Sequence, residues 1–273
     1  VSPGRPLKLL LAEDNPTNQQ VIEMLAAQMG HTVECAANGR IALEKLAQID
    51  YDAVLMDCQM PELDGYETTR RIRSGAAAVL NPRIPIIALT AYAMAGDRAK
   101  CLAAGMDDYL TKPVRADELR EALRRNGMRP GGSGRPDGAA AAENVAAPAP
   151  MPKVDPQVLD VEVLQNLRAL PGRSGGRLLP ELVKNFFVEE PQRRAELERL
   201  ASDRDATALA QAAHAFAGSS AVIGARESRH VLLALEKAAL AQDWAEVGNC
   251  LRDVRSSGER LRAAFAELEA SLV

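Results

Sequence analysis

Asp57 closes the apolar run Tyr51-Asp-Ala-Val-Leu-Met-Asp57, and turn-forming residues through Asp64-Gly65 follow at once. A carboxylate in that position belongs at the C-terminal rim of a buried strand, where open α/β sheets bind their ligands. A second acidic pair, Glu13-Asp14, ends the earlier run Leu7-Lys-Leu-Leu-Leu-Ala12. Three carboxylates at neighbouring strand ends repel one another unless a cation lies among them, and an all-oxygen ligand set suits Mg²⁺. Two further runs end in chemistry-bearing groups. Ile84-Pro-Ile-Ile-Ala-Leu stops at the hydroxyl of Thr90, and Asp108-Tyr-Leu-Thr stops at the ammonium of Lys112, before Pro113. Acid pair, lone Asp, hydroxyl and lysine thus fall at strand ends in that order. Taken alone, Glu13-Asp14 reads better as helix-capping acids before Pro16 and Thr17, and Thr90 and Lys112 read by default as surface groups. Their order gives them meaning.

A histidine far along the chain has its own setting. In the segment 209–225, Leu209, Ala213, Phe216, Ser220 and Ile223 are spaced 4, 3, 4 and 3, the stripe a helix turns toward a core. His214 falls on the adjacent stripe, with Gln211 and Gly218 one turn away and Ala221 two turns away. Such small neighbours lead us to expect an imidazole standing clear of the helix, open to a second protein. His31 and His230 have no supporting neighbours and read as ordinary residues.

The elements that must position these groups can be read from periodicity. Residues 7–125 alternate apolar strands (7–12, 32–36, 52–57, 84–89, 108–111) with amphipathic helices (16–29, 39–49, 63–74, 95–104, 115–126), which predicts a parallel sheet covered on both faces with right-handed crossovers. Residues 127–152 are dominated by Gly, Pro and Ala and read as a flexible linker. A coil of this length spans roughly 28 Å root-mean-square, so groups on either side of it could meet within one chain at an effective concentration of order millimolar, and encounters between chains or with a separate protein are equally allowed. Residues 153–273 carry almost no strand signal. Apolar residues recur there at three and four, predicting helices at 156–169, 176–201, 205–222, 226–241 and 243–271 packed as an antiparallel bundle. The expected domains are therefore 1–126, the linker 127–152 and 153–273. All four Tyr lie in the first half and all four Phe in the second, as two separate cores require.

Bulk properties exclude other classes. Net charge is −4 and neither half has the basic excess of a nucleic-acid binder. The four cysteines share no metal-type spacing and read as buried or incidental thiols of a reducing compartment. No apolar run approaches the length of a membrane span, and no secretory signal opens the chain. The absence of an initiator Met reads as a fragment of a longer protein. Gly131-Gly-Ser-Gly134 and Pro171-Gly-Arg-Ser-Gly-Gly-Arg177 both fail the phosphate-loop pattern.

Residues 7 to about 125 resemble a response-regulator receiver domain. The resemblance rests on Ala12-Glu-Asp-Asn15, Met56-Asp-Cys-Gln-Met-Pro-Glu-Leu-Asp-Gly65, Ala88-Leu-Thr-Ala91 and Lys112-Pro113. It implies a flavodoxin-like five-stranded sheet in the order 2-1-3-4-5. It also implies phosphorylation of Asp57, with Mg²⁺ held by Asp14, Asp57 and the Gln59 backbone carbonyl, Glu13 acting through water, and Lys112 and Thr90 on the phosphoryl oxygens. Thr90 and Tyr109 would form the switch. The later segment resembles the histidine-phosphotransfer (HPt) motif His-x-x-Lys-Gly-Ser on a bundle helix, carried by Ala213-His214 and Gly218-Ser219-Ser220-Ala221, with Ala217 at the lysine position. Together these imply a two-component phosphorelay module of the kind found at the C-terminus of hybrid sensor histidine kinases. The chemistry is physically sound: free Asp is ionised at neutral pH and nucleophilic, imidazole is neutral near pH 7, and phosphoryl transfer asks chiefly for position and field. The implied partners are a histidine kinase core or other phosphohistidine donor, a downstream response regulator, and contact between the two domains of one chain. No nucleic acid is expected. The implied location is cytoplasmic, with a parent chain open to membrane anchoring. No ATP-binding signature occurs, so kinase activity from ATP alone is not expected. Two rival readings are a metal-dependent aspartyl-phosphate hydrolase, which usually has a second Asp two residues after the nucleophile where this chain has Gln59, and a non-transferring adaptor with a vestigial receiver.

Overall fold

The computed structural model describes residues 5–90, 95–128, 154–168, 170 and 177–270. By its internal packing the chain divides into two compact units, residues 1–141 and 142–273.

In the first unit, five strands alternate with five helices: β1 (Lys8–Ala12), α1 (Pro16–Gln28), β2 (Thr32–Ala36), α2 (Gly39–Gln48), β3 (Ala53–Asp57), α3 (Gly65–Ser74), β4 (Ile86–Thr90), α4 (Ala95–Ala104), β5 (Asp108–Thr111) and α5 (Ala116–Arg125). The sheet is parallel throughout, in the order β2-β1-β3-β4-β5. β3 and β4 are buried along their whole length, because helices cover both faces, and so each reads as a continuous apolar run. Short polar caps turn the chain into the helices. The Asn15 side chain accepts from the Thr17 and Asn18 amides, Asn38 accepts from Ile41, and Asp64 accepts from Glu67. The first of these caps, Asn15, directly follows the acid pair Glu13-Asp14 at the end of β1. The first two residues of the expected linker, Gly127 and Met128, close α5 by donating to the Arg124 and Leu123 carbonyls. The remainder of that linker lies outside the described residues, as do Ala91 and Tyr92.

The second unit is helical: α6 (Val161–Arg168), α7 (Leu178–Ser202), α8 (Ala206–Val222), α9 (Arg226–Leu240) and α10 (Trp244–Ala270). Three-residue turns at 203–205, 223–225 and 241–243 connect the last four, and turns that short force antiparallel neighbours. Phe186 and Phe216 meet with ring centroids 5.7 Å apart, and Phe187 meets Phe265 at 5.9 Å. The stripe expected to face the core, Leu209, Ala213, Phe216, Ser220 and Ile223, is buried throughout. Among the described residues no helix is long and apolar enough to cross a membrane.

Candidate functional site

The strand ends do converge. β1, β3 and β4 are adjacent in the sheet, with Ala12 in register with Met56 and Asp57 with Leu89. Parallel strands present their C-terminal ends on one rim, so Glu13, Asp14, Asp57 and Thr90 collect there. β5 adds Lys112: Thr90 pairs with Thr111, and the next amide, that of Lys112, donates to the Thr90 carbonyl at 2.8 Å. The Lys112 ammonium reaches back under the rim to Asp57 Oδ2 at 2.6 Å and Glu13 Oε2 at 2.7 Å. Asp57 keeps only 2% of its surface exposed, Lys112 is buried, and Asp14 is half-buried. The other Asp57 oxygen, Oδ1, accepts from the Gln59 amide at 3.3 Å.

Electrostatics are set by burial. Glu13 is pushed up to about 7 by loss of solvent and by the nearby Asp57, against the pull of Lys112 and Asn18. Burial alone would push the Lys112 pKa down, but Asp57 and Glu13 beside it more than offset this and hold it above the ordinary lysine range. One oxygen from each of Glu13, Asp14 and Asp57 lies within 4.8 Å of the others. With all three ionised against one ammonium, two negative charges stay uncompensated, which matches a divalent hard cation taken up by oxygen ligands. The residues therefore fit Mg²⁺. The fourth expected ligand, the Gln59 carbonyl, belongs to the exposed residue two places beyond Asp57.

Gly65 shows how tightly the following turn is drawn in. Its amide donates to the Cys58 carbonyl at 3.2 Å. A Cβ at this position would fall inside contact distance of the Asp57 carbonyl. Gly65→Ala should destabilise the first unit by about 1–3 kcal/mol through this overlap and slow any reaction at Asp57. Thermal melts and labelling of Asp57 would measure the two effects; an unchanged variant would refute the stated crowding.

Tyr109 is half-buried on β5 in register with Ala88, and the Arg98 guanidinium of α4 lies 6.0 Å from its ring centroid. It is thus one strand away from the Thr90 end of β4.

The second site corrects an expectation. His214 does not stand clear: the residue is 9% exposed. The reason is the neighbouring helix. The tight turn 223–225 folds α9 back against α8, and Glu236 of α9, itself 5% exposed, places Oε2 3.0 Å from His214 Nδ1. A stripe drawn on one helix cannot register a side chain delivered by another. Ala217, at the position where the motif has lysine, is also buried.

Glu236 is therefore the residue that sequence reasoning missed. Its only signal was a lone acid within the apolar periodicity of 232–240. A second omission is the thiol pair next to the rim, Cys58 and Cys101, with sulfurs 3.8 Å apart. Asp107 and Asp108, readable as a solvated turn, have structural work: Asp107 accepts from the Ile86 amide and from Arg73, and Asp108 from Arg125 and Asn126.

Comparison with known proteins gives two family matches: the response regulator receiver domain over residues 9–124, and the Hpt domain over residues 181–271. Virulence sensor protein BvgS of Bordetella bronchiseptica is 32% identical over 248 residues, which cover 88% of this chain and 19% of that protein. Sensor protein GacS of Pseudomonas syringae pv. syringae is 39% identical over 120 residues, 44% of this chain and 13% of that protein. Among solved structures, the receiver domain of sensor histidine kinase PA1611 from Pseudomonas aeruginosa PAO1, described with a magnesium ion in its active-site cleft, is 48% identical; the match covers 44% of this chain and 97% of that one, with a TM-score of 0.40. The chain spans less than a fifth of the length of these curated relatives.

Proposed function

We propose that this chain, whose residues 9–124 belong to the response regulator receiver family and whose residues 181–271 belong to the Hpt family, carries a phosphoryl group between Asp57 and a phosphohistidine, with His214 as its own histidine site. The single observation behind the receiver half of this reading is the Asp57–Lys112–Glu13 contact at a rim that also holds Asp14 and Thr90. The pairing of the two families in one chain favours a relay over a hydrolase or a non-transferring adaptor.

The geometry supports the following assignment of roles. Asp57 is the nucleophile. Glu13, Asp14, Asp57 and the Gln59 carbonyl would hold Mg²⁺, which when bound offsets the repulsion between a carboxylate and an incoming anion. Lys112 holds the Asp57 carboxylate in place and offers a fixed positive charge to the phosphoryl oxygens. Thr90 offers its hydroxyl from the next strand end. Phosphorylation adds charge and acceptor oxygens beside Thr90, and Tyr109 can follow the hydroxyl, a local event with a two-state readout. The partners of this reading are a histidine kinase core or another phosphohistidine donor upstream and a response regulator downstream. Its setting is the cytoplasmic portion of a hybrid sensor kinase.

The test uses the whole chain with a small radiolabelled acyl phosphate and Mg²⁺. Two kinds of label are expected: a base-labile acyl phosphate in the first unit and an acid-labile phosphoramidate in the second. His214→Gln should retain the first and lose the second. Turnover of general phosphate esters, or no protein-bound label at all, would contradict the relay.

A further inference from the structure

We infer that Asn18 is a positioning residue for the metal site: its side-chain amide fixes the Glu13 carboxylate, and through Glu13 it sets how tightly the rim takes up Mg²⁺. The inference rests on the magnesium reading above and not on the relay. Glu13 is fully buried, and Asn18 keeps only 4% of its surface exposed. Asn18 Nδ2 donates to Glu13 Oε1 at 2.6 Å, and the Asn15 amide donates to the same oxygen at 3.3 Å. Lys112 meets the other oxygen, Oε2, at 2.7 Å. The backbone of Glu13 is held as well: Gln19 Nε2 donates to its carbonyl at 2.6 Å, and its amide donates to the Ala36 carbonyl at 3.0 Å.

Asn18 is the third residue of α1, where a capping box would send a Glu or Gln side chain back to the N-cap amide. Here that amide, of Asn15, is met by Glu13 instead, and Asn18 turns its donor on the same carboxylate. The start of α1 and the acid of the rim are thereby tied together. A glutamate carries its carboxylate on one more torsion than an aspartate, so its oxygens sweep a wider arc unless donors arrest them. Lys112 cannot do this alone, because its rotatable ammonium is shared with Asp57. A planar amide fixes direction as well as distance. The other end of that amide is telling. Asn18 Oδ1 is buried and accepts no hydrogen bond among the described residues. Turning the amide over would set this oxygen against the carboxylate, acceptor on acceptor. A buried acceptor left over costs free energy, and an apolar residue of similar size would avoid it. The asparagine is therefore explained by what Nδ2 does for Glu13. Groups that orient metal-site residues from behind change metal affinity about 10–100-fold when removed.

The experiment measures Mg²⁺ binding to the full chain by calorimetry at neutral pH, with no phosphoryl donor present. Asn18→Leu, close in volume but without a donor, should weaken binding at least about tenfold. Asn18→Gln, which keeps an amide donor on a longer stem, should recover part of the loss. In a Glu13→Gln background, Asn18→Leu should change the affinity by less than about twofold, because the charge it acts through is gone. Labelling of Asp57 by acyl phosphate should be slow in Asn18→Leu at low Mg²⁺ and return to near the wild-type rate at saturating Mg²⁺. An Asn18→Leu affinity within about twofold of wild type, an equal loss in both backgrounds, or a rate that saturating Mg²⁺ does not restore would each overturn the inference. If Asn18→Leu fails to fold, the contact is read in the wild type by ¹H–¹⁵N correlation of side-chain amides. The Asn18 Nδ2 signals should move on Glu13→Gln, and signals that stay in place would overturn the inference too. A wild type that binds no Mg²⁺ would overturn the magnesium reading itself, and is seen before any variant is compared.

Discussion

Asp57→Asn should abolish both kinds of label, on the receiver and on the bundle. The side chains differ by one atom, so packing at this 2%-exposed position is kept, while a carboxylate nucleophile is exchanged for an amide with no useful reactivity toward phosphorus. The loss on the bundle is the stronger part of the result. If His214 receives its group only by way of Asp57, the acid-labile signal must fall to background although His214 and Glu236 are untouched. Quantitative electrophoresis of the labelled protein, with and without acid treatment, checks this. Acid-labile label surviving in Asp57→Asn would mean that His214 is charged independently.

Lys112→Met should cost the first unit roughly 3–5 kcal/mol, because it strips the counter-charge from two buried carboxylates. That corresponds to a fall in its melting temperature of roughly 10–20 °C. The pH dependence has a definite sign. Glu13 already has its pKa raised to about 7 in the folded chain. A raised carboxylate favours folding below its unfolded value and loses that contribution as pH rises through the folded one. Without Lys112 the Glu13 value moves further up. The variant should therefore be closest to wild type near pH 5 and furthest below it near pH 8. Mg²⁺ should recover more stability in the variant than in the wild type at pH 8. Calorimetry at the two pH values, with and without Mg²⁺, measures all of this. Equal stability of variant and wild type at pH 8 would refute the account.

How far the sequence could be read depended on where each partner came from. Glu13, Asp14, Asp57, Thr90 and Lys112 were legible because each ends its own apolar run, and parallel strands bring run-ends to one rim without further information. Strand and helix limits in the first unit were recovered to within about two residues for the same reason: caps such as Asn15, Asn38 and Asp64 are local; α6, by contrast, begins at Val161, five residues after the expected start. Residues 108–111 were placed as a strand, yet the anchoring of Arg73, Arg125 and Asn126 by Asp107 and Asp108 was not visible, since it depends on which helices cover that sheet edge. His214 was found by its motif, but its burial was not, because Glu236 comes from the next helix and no periodicity within α8 encodes it. Cys58 and Cys101 are 43 residues apart and meet only through the packing of α4 near the end of β3.

The position of β5 at the sheet edge, last of the five strands to be synthesised, has a consequence for the newborn protein. A ribosome-bound chain that has exposed β1, β3 and β4 holds the acids of the rim without the ammonium that reconciles them. Only release of the final strand delivers it. Prematurely terminated products ending before residue 112 should therefore be poorly folded, since the buried acids of the rim are left without their counter-charge.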